Sequence, residues 1–304
     1  MGAIRIGISG WRYAPWRGDF YPEGLVQKHE LHFASRAVNS IEINGSFYSL
    51  QRPQSYASWR AQTPDGFVFS VKAPRFITHI KRLRDIQAPL ANFLASGLFC
   101  LEEKLGPLLW QFPPTFAFDP ALFDDFLAQL PMDTEAALAL ARGCEPRMEG
   151  RSHLHIDRKR PLRHAVEIRN QSFVDPLFIE ALRRHGVALV IADTAGKWPF
   201  FEDLTADFLY LRLHGAEKLY ESGYTNEALD RWAERIRLWG QGSQPGDARL
   251  IDPSPPRRTK RDVYCYFDND VKVRAPYDAR ALLRRLDLEE GLQTTPGRME
   301  GARS

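Results

Sequence analysis

Phe208-Leu209-Tyr210-Leu211-Arg212-Leu213-His214 alternates leucine with tyrosine, arginine and histidine. Period two in a β-favouring run reads as a strand. Ile41-Glu42-Ile43-Asn44 and Val166-Glu167-Ile168-Arg169 carry the same alternation. Further strand candidates bring the set to Ile4–Ser9, Ser40–Asn44, Phe67–Lys72, Leu108–Phe112, His164–Arg169, Ala188–Asp193, Phe208–His214 and Asp262–Asp268. Stretches with helical spacing lie between them, among them Pro53–Gln62, Pro89–Leu105, Pro120–Leu130, Pro176–His185 and Asn226–Trp239. Several open on proline, whose missing N–H costs nothing in a first turn. Alternating strands and helices imply a parallel sheet built from βαβ units. Eight strands in a chain of this length match a (βα)8 barrel of about 250 residues. An open doubly wound sheet is the competing architecture, but no glycine-rich phosphate fingerprint follows the first strand. The expected fold is therefore α/β, a (βα)8 TIM-type barrel forming a single domain over residues 1–288. Irregular insertions are expected near 143–163 and 240–261, and a disordered polar tail at 289–304.

In a parallel barrel both faces of every strand are covered, so a polar residue alternating with apolar ones cannot simply face water. At the C-terminal end of a strand it points into the barrel mouth, where barrel enzymes keep their reacting groups. Strand by strand, this parity selects Ser9, Glu42 with Asn44, Ser70 with Lys72, Gln111, Glu167 with Arg169, Asp193, Arg212 with His214, and Asp268. A lone buried charge is expensive, so these groups either pair into an ion network that plugs the barrel or hold a polar ligand. The loops after the first two strands bring Trp11, Tyr13, Trp16, Phe20 and Tyr21, then Phe47 and Tyr48. They read as a stacking platform for a sugar or base, or as a hydrophobic lid. After the third strand, Lys72-Ala73-Pro74-Arg75 and Thr78-His79 add cationic and hydrogen-bonding groups suited to phosphate or carboxylate.

Lysine and arginine number 41 against 38 acidic residues, a net charge of +3 that is no nucleic-acid signature by itself. Seven tryptophans and nineteen phenylalanines supply ample apolar surface for a core. Cys100, Cys144 and Cys265 are scattered, which excludes a disulfide framework and a cysteine-rich zinc site and fits a reducing compartment. No apolar run approaches the ~18 residues of a membrane span, and the first residues lack a signal-peptide layout. A cytoplasmic protein without membrane association is expected. Gly143–Arg163 and Gly240–Arg261 precede strands and so should lie opposite the mouth, as solvated, mobile loops. The second carries Arg257, Arg258, Lys260 and Arg261, and a docking strip for an acidic partner is its sharper reading. Trp232 and Trp239 face either a core or a partner, and oligomeric state is not legible.

The segments Ser9-Gly10-Trp11-Arg12-Tyr13 with Trp16, Phe20-Tyr21-Pro22, Glu42-Ile43-Asn44 with Phe47-Tyr48, and Lys72 with Thr78-His79 form an ordered series. It continues through Gln111-Phe112-Pro113-Pro114, Glu167-Ile168-Arg169, Tyr210-Leu211-Arg212-Leu213-His214-Gly215 and Tyr266-Phe267-Asp268-Asn269-Asp270. The series resembles the YecE-like family, domain of unknown function 72, over roughly residues 4 to 286. The resemblance implies a TIM-type barrel and supplies no reaction. Asp268 stands where many relatives have asparagine, Phe173 replaces a frequent tryptophan, and the 240–261 connection is longer and more basic than usual.

Four chemistries are compatible with the mouth. The leading one is an enzyme acting on a polar, phosphate-bearing or nucleic-acid-derived substrate. Lys72, Arg169, Arg212 and His79 would hold the anion, Glu42 and Glu167 would serve as acid and base, and His214 would shuttle a proton. Trp11, Tyr13, Asn44, Tyr48, Gln111, Asp193, Asp268 and Asn269 complete the expected binding set. The second is a carbohydrate-processing hydrolase with Glu42 and Glu167 as its carboxylate pair, a reading that an arginine chelating either carboxylate would undercut. A divalent metal on Glu42, Glu167, Asp193, His214 and Asp268 is the third, disfavoured by the neighbouring cations. No organic cofactor motif is present. The fourth is a non-catalytic module binding nucleic acid or a nucleotide.

Overall fold

β1 (Ile4–Ser9), β2 (Ser40–Ile43), β3 (Val68–Lys72), β4 (Leu105–Gln111), β5 (His164–Glu167), β6 (Ala188–Asp193), β7 (Phe208–Leu213) and β8 (Asp262–Phe267) pair in parallel in chain order. β8 returns to β1 and closes a barrel. The structure is a computed structural model that describes residues 1–215, 223–254, 259–269, 273–294 and 296–297. Outside the strands run α1 (Glu30–Ala37), α2 (Gly45–Tyr48), α3 (Pro53–Gln62), α4 (Gln87–Ala95), α5 (Pro120–Gln129), α6 (Thr134–Ala141), α7 (Pro176–His185), α8 (Asn226–Gln241) and α9 (Ala275–Arg285). Asp119, Asp133, Asp175 and Thr225 cap α5 to α8 by accepting a backbone N–H with the side chain. The helix expected over Pro89–Leu105 is split. α4 stops before Gly97, whose φ of 117° breaks it, and Leu98–Lys104 is a 3-10 turn.

Strand register sorts the side chains. Inside the barrel lie Leu109, Ala165, Ala188, Val190, Ala192, Phe208, Tyr210, Tyr264 and Tyr266. Outside, a larger apolar layer packs the strands against the helices. Small residues make room for the tyrosines: the hydroxyls of Tyr210 and Tyr266 lie 2.8 Å from Ser70 Oγ and Ser40 Oγ. Above this layer the same inward parity carries Ser9, Glu42, Lys72, Gln111, Glu167 and Arg212, as expected. Asp193 does not belong with them. It pairs with Leu213 while Ala192 pairs with Arg212, so Asp193 is on the outward face of β6.

No helix separates β6 from β7 among the described residues. Buried Glu202 and Asp203 instead collect the segment expected to be a mobile loop. Arg249 N donates to Glu202 Oε2 at 3.0 Å, and Ile251 N and Asp252 N donate to the Asp203 carboxylate at 2.8 and 2.9 Å. Gly240–Arg261 is thus bonded in part to the β6–β7 connection. Arg261 is buried and donates to the carbonyls of Ala206 and Thr259. Arg257 and Arg258 of the expected docking strip lie outside the described residues. Gly143–Arg163 is also strapped down, with His153 N on Ala95 O and Leu162 N on Met132 O. Trp232 and Trp239 are buried in the core. Of the expected tail, Gln293 N and Thr294 N bond the Arg36 carbonyl and Gly297 N bonds Phe20 O. Residues 298–304, like Thr295, lie outside the described residues. No described helix is long and apolar enough to cross a membrane.

β1 approaches β2 closely at Gly7, where an added Cβ would lie 1.8 Å from the Ser40 carbonyl oxygen. Gly7→Ala must force the strands apart. Chemical denaturation should show a loss of about 2–3 kcal/mol, the upper range for overpacking, and an unchanged midpoint would contradict the close approach.

Candidate active site at the barrel mouth

The Arg212 guanidinium sits on the barrel axis and holds three carboxylates. Nε and Nη2 meet the two oxygens of Glu42 at 3.1 and 2.9 Å, a bidentate fork. Nη1 donates to Glu167 Oε2 at 2.7 Å, and Nη2 also reaches Asp268 Oδ2 at 2.8 Å. Glu42 accepts two more bonds at 2.6 Å, from the hydroxyls of Ser9 and Tyr210. Its acceptor sites are therefore filled. Glu167 accepts a further bond from Arg169 Nε at 2.8 Å, and His214 Nδ1 lies 3.1 Å from Asp268 Oδ2. Arg212, Glu42, Glu167 and His214 are essentially inaccessible to solvent.

This network is the floor of an open cavity of about 430 Å³. Its lining includes Lys72, Arg75, His79, Gln111 and Arg169, with Asn44, Phe47 and Tyr48 from the β2–α2 turn. Arg212 and Asp268 reach it from below. Asp268 is the one carboxylate on this described lining. Lys72 Nζ lies 4.2 Å from the Phe47 ring centroid and, among the described residues, makes no ion pair or hydrogen bond. Arg169 stacks on Trp198 at 3.8 Å, which leaves its terminal nitrogens free of described protein partners. His79 sits in a single π-helical turn, Phe76–Ile80, its Nδ1 2.8 Å from Thr78 Oγ1 and its ring edge-on to Phe47.

The electrostatics follow from this arrangement. Burial raises the pKa of Glu167, but Arg169, Arg212, His214 and Lys72 outweigh it and hold the carboxyl well below its usual range. Burial likewise opposes ionisation of Asp268, and Arg212, His214 and Lys72 keep it far below normal. Burial, then Arg212, bring Lys72 down to about 8, against the pull of Glu167, Glu42 and Asp268. Burial followed by Lys72, Arg75 and Arg169 pushes His79 down to about 4. At neutral pH the imidazole is uncharged.

Several expected roles change. Glu42 is chelated and saturated beneath the floor, so it has no free oxygen for acid–base work. Arg212 spends its fork on carboxylates, not on a ligand. His79 reaches the cavity as a neutral group. His214 backs Asp268 from a buried position and does not line the cavity. Asp193 points away from the mouth, accepts the Tyr224 hydroxyl at 3.0 Å, and is pushed up by burial. Asn269 is buried with Nδ2 on Asp278 at the start of α9. Trp11 packs edge-on against Trp59 and lines a separate cleft of about 240 Å³ shared with Asn44. Tyr13 donates its hydroxyl to Ser9 O and stacks on Trp16, which is core together with Phe20 and Tyr21. Of the expected aromatic platform, Phe47 and the largely exposed Tyr48 remain at the mouth. Trp198, which orients Arg169, carries no signal in the sequence beyond being an aromatic in an irregular connection.

The guanidinium fills the point where the carboxylates converge, so this donor set does not fit a divalent ion. Chelation of Glu42 removes one of the two carboxylates that a glycosidase reading needs.

The family model described as protein of unknown function DUF72 matches residues 5–300. The chain belongs to the DUF72 family. YecE of Escherichia coli K12 is similar to it, 26% identical over 245 residues that cover 80% of this chain and 84% of YecE. YunF of Bacillus subtilis is 23% identical over 303 residues, 94% of this chain and 95% of YunF. A solved DUF72 family structure from Thermotoga maritima superposes with a TM-score of 0.70 at 23% identity, covering 94% of this chain and 99% of that one. One from Enterococcus faecalis gives 0.65 at 18%, covering 94% and 96%. These likenesses establish the barrel fold.

Two stability predictions come from the network. Arg212→Met strands buried carboxylates and should cost about 3–5 kcal/mol, whereas Lys72→Met removes a partnerless buried charge and should raise the thermal midpoint by a few degrees; equal effects of one sign would contradict the pairing described. The second concerns acid. Glu167 and Asp268 have folded-state pKa values below their ordinary 4.5 and 3.8. Their stabilisation is complete above about pH 5 and is lost as pH falls towards the folded values. Denaturation midpoints measured from pH 7 to pH 3 should therefore fall at the acid end, and Glu167→Gln with Asp268→Asn should flatten that fall.

Proposed function

We propose that the chain is an enzyme acting on a small polar substrate that carries a phosphate or a comparable anionic group, nucleic-acid-derived compounds of that size included. The observation that carries this reading is the charge of the cavity wall. Below it, Arg212 and Arg169 pair with Glu42, Glu167 and Asp268, which leaves the floor with one carboxylate in excess. Above it, Lys72 and Arg75 make no ion pair among the described residues and bring the mouth to a net positive charge, with Arg169 on the same lining. Withdrawal of Asp193 to the outer face removes the fourth carboxylate that would have offset them. A planar guanidinium already oriented by Glu167 and Trp198 loses little freedom on binding an oxyanion. Gln111 and Asn44 supply neutral hydrogen-bonding groups, and the exposed Tyr48 ring offers a face to an apolar or aromatic portion of the ligand. A site at the C-terminal ends of the strands is where barrel enzymes work, and that position supports catalysis over mere capture.

Inorganic phosphate and small phosphate monoesters should raise the thermal midpoint of the protein, with an effect that weakens as salt rises. Arg75→Met and Arg169→Met should each weaken binding about 10- to 100-fold, the worth of a charge-assisted hydrogen bond. Absence of binding by phosphate, carboxylate and nucleotide anions alike would sink the reading, and binding with no turnover of any bound ester would reduce the protein to a binding module.

A further inference from the structure

Lys72 is a buried cation of the mouth whose ammonium makes no ion pair among the described residues. It stands at the C-terminal end of β3, its register partner Leu109 facing inward, so its chain enters the barrel mouth from the wall. The residue is only 8% exposed. Three carboxylates are near enough to act on it, yet all three are engaged by Arg212 or Arg169. The other cavity groups are poor candidates for a covalent step. Arginines do not deprotonate, Glu42 has no free acceptor site, Glu167 and Asp268 are held ionised in ion pairs, and the His79 imidazole is turned onto Thr78 and Phe47.

We propose that Lys72 is a reactive amine that condenses through Nζ with the carbonyl group of a small carbonyl compound bearing a carboxylate or phosphate, forming an imine. The inference rests on the anionic-substrate reading above, because Arg75 and Arg169 would hold the acid group while the amine meets the carbonyl carbon. The ammonium first releases a proton to water in the open mouth. The nitrogen lone pair then attacks the carbonyl carbon, and the C=O π pair moves to oxygen. A proton passes from nitrogen to that oxygen to give a neutral carbinolamine, whose hydroxyl takes back the proton first released to water. Loss of water breaks the C–O bond, and the nitrogen lone pair closes the C=N bond of a protonated imine. Ammonium plus carbonyl becomes iminium plus water, with no net proton and no redox partner. Lysine desolvated beside other cations is a known route to an amine nucleophilic at neutral pH. Here burial and Arg212 favour the neutral amine, while Glu167, Glu42 and Asp268 limit the shift to about 8. Roughly a tenth of the side chain is then neutral at pH 7.

Glyoxylate, the smallest aldehyde carrying a carboxylate, is the probe. The whole protein is incubated with glyoxylate and cyanoborohydride, and the reduced adducts are located by peptide mapping. Lys72 should carry a carboxymethyl group at least roughly tenfold faster than the exposed Lys28 and Lys197, with a rate rising through about pH 8 and suppressed by inorganic phosphate. Lys72→Arg should show no adduct at this position. Labelling of Lys72 no faster than of the surface lysines overturns the proposal, and the wild-type chain alone decides this. Phosphate binding without Lys72 labelling sinks the amine and leaves the anion site standing. Rapid labelling of Lys72 that phosphate neither protects nor accompanies by binding sinks the anion site instead.

Discussion

A single guanidinium inside the barrel decides what every other charge near it can do. Arg212 is buried, and transfer of such a group from water costs several kcal/mol unless opposite charges and hydrogen bonds surround it. Glu42, Glu167 and Asp268 meet that requirement together. In doing so they are withdrawn from other work: a carboxylate whose oxygens already accept bonds from Arg212, Ser9 and Tyr210 has no lone pair left to offer a substrate. The interaction that makes the interior tolerable to charge therefore also leaves Lys72, Arg75, Gln111 and Arg169 as the layer that lines the open cavity.

The layering of the interior follows from side-chain size and parity. The tyrosines of β7 and β8 need small partners, and Ser40 and Ser70 provide both space and a hydroxyl within 2.8 Å. Their hydroxyls end just below Glu42, which converts an apolar core into a hydrogen-bonding platform within one strand residue. Arg169 extends this logic outward. Glu167 fixes Nε, Trp198 covers one face of the plane, and the side chain lines the cavity.

On the outside, the barrel tolerates the missing helix between β6 and β7 because the long connection before β8 bonds to that surface instead. Two buried carboxylates, Glu202 and Asp203, bind its backbone N–H groups. Residues 249–252 of that connection thus join the wall, held by backbone hydrogen bonding and not by an amphipathic face.

Local pattern was enough for the architecture and for the membership of most of the mouth. Period two in Leu209–His214 and Val166–Arg169, helical spacing between strands, and aspartate or threonine caps each depend on residues a few positions apart. Register over one strand likewise made Glu42, Lys72, Glu167 and Arg212 legible as inward-facing. Asp193 was misread because the strand ends one residue past its last inward position, a count that only pairing with Leu213 fixes. Asn269 and Trp11 left the expected set because Asp278 in the following helix and Trp59, 48 residues on, offered them partners. The roles of the charges were beyond the linear order altogether. Which carboxylate Arg212 would claim, and that Lys72 would be left without one, depends on distances of a few ångströms between five separate strands, and Coulomb energies at that range are set by three-dimensional placement alone.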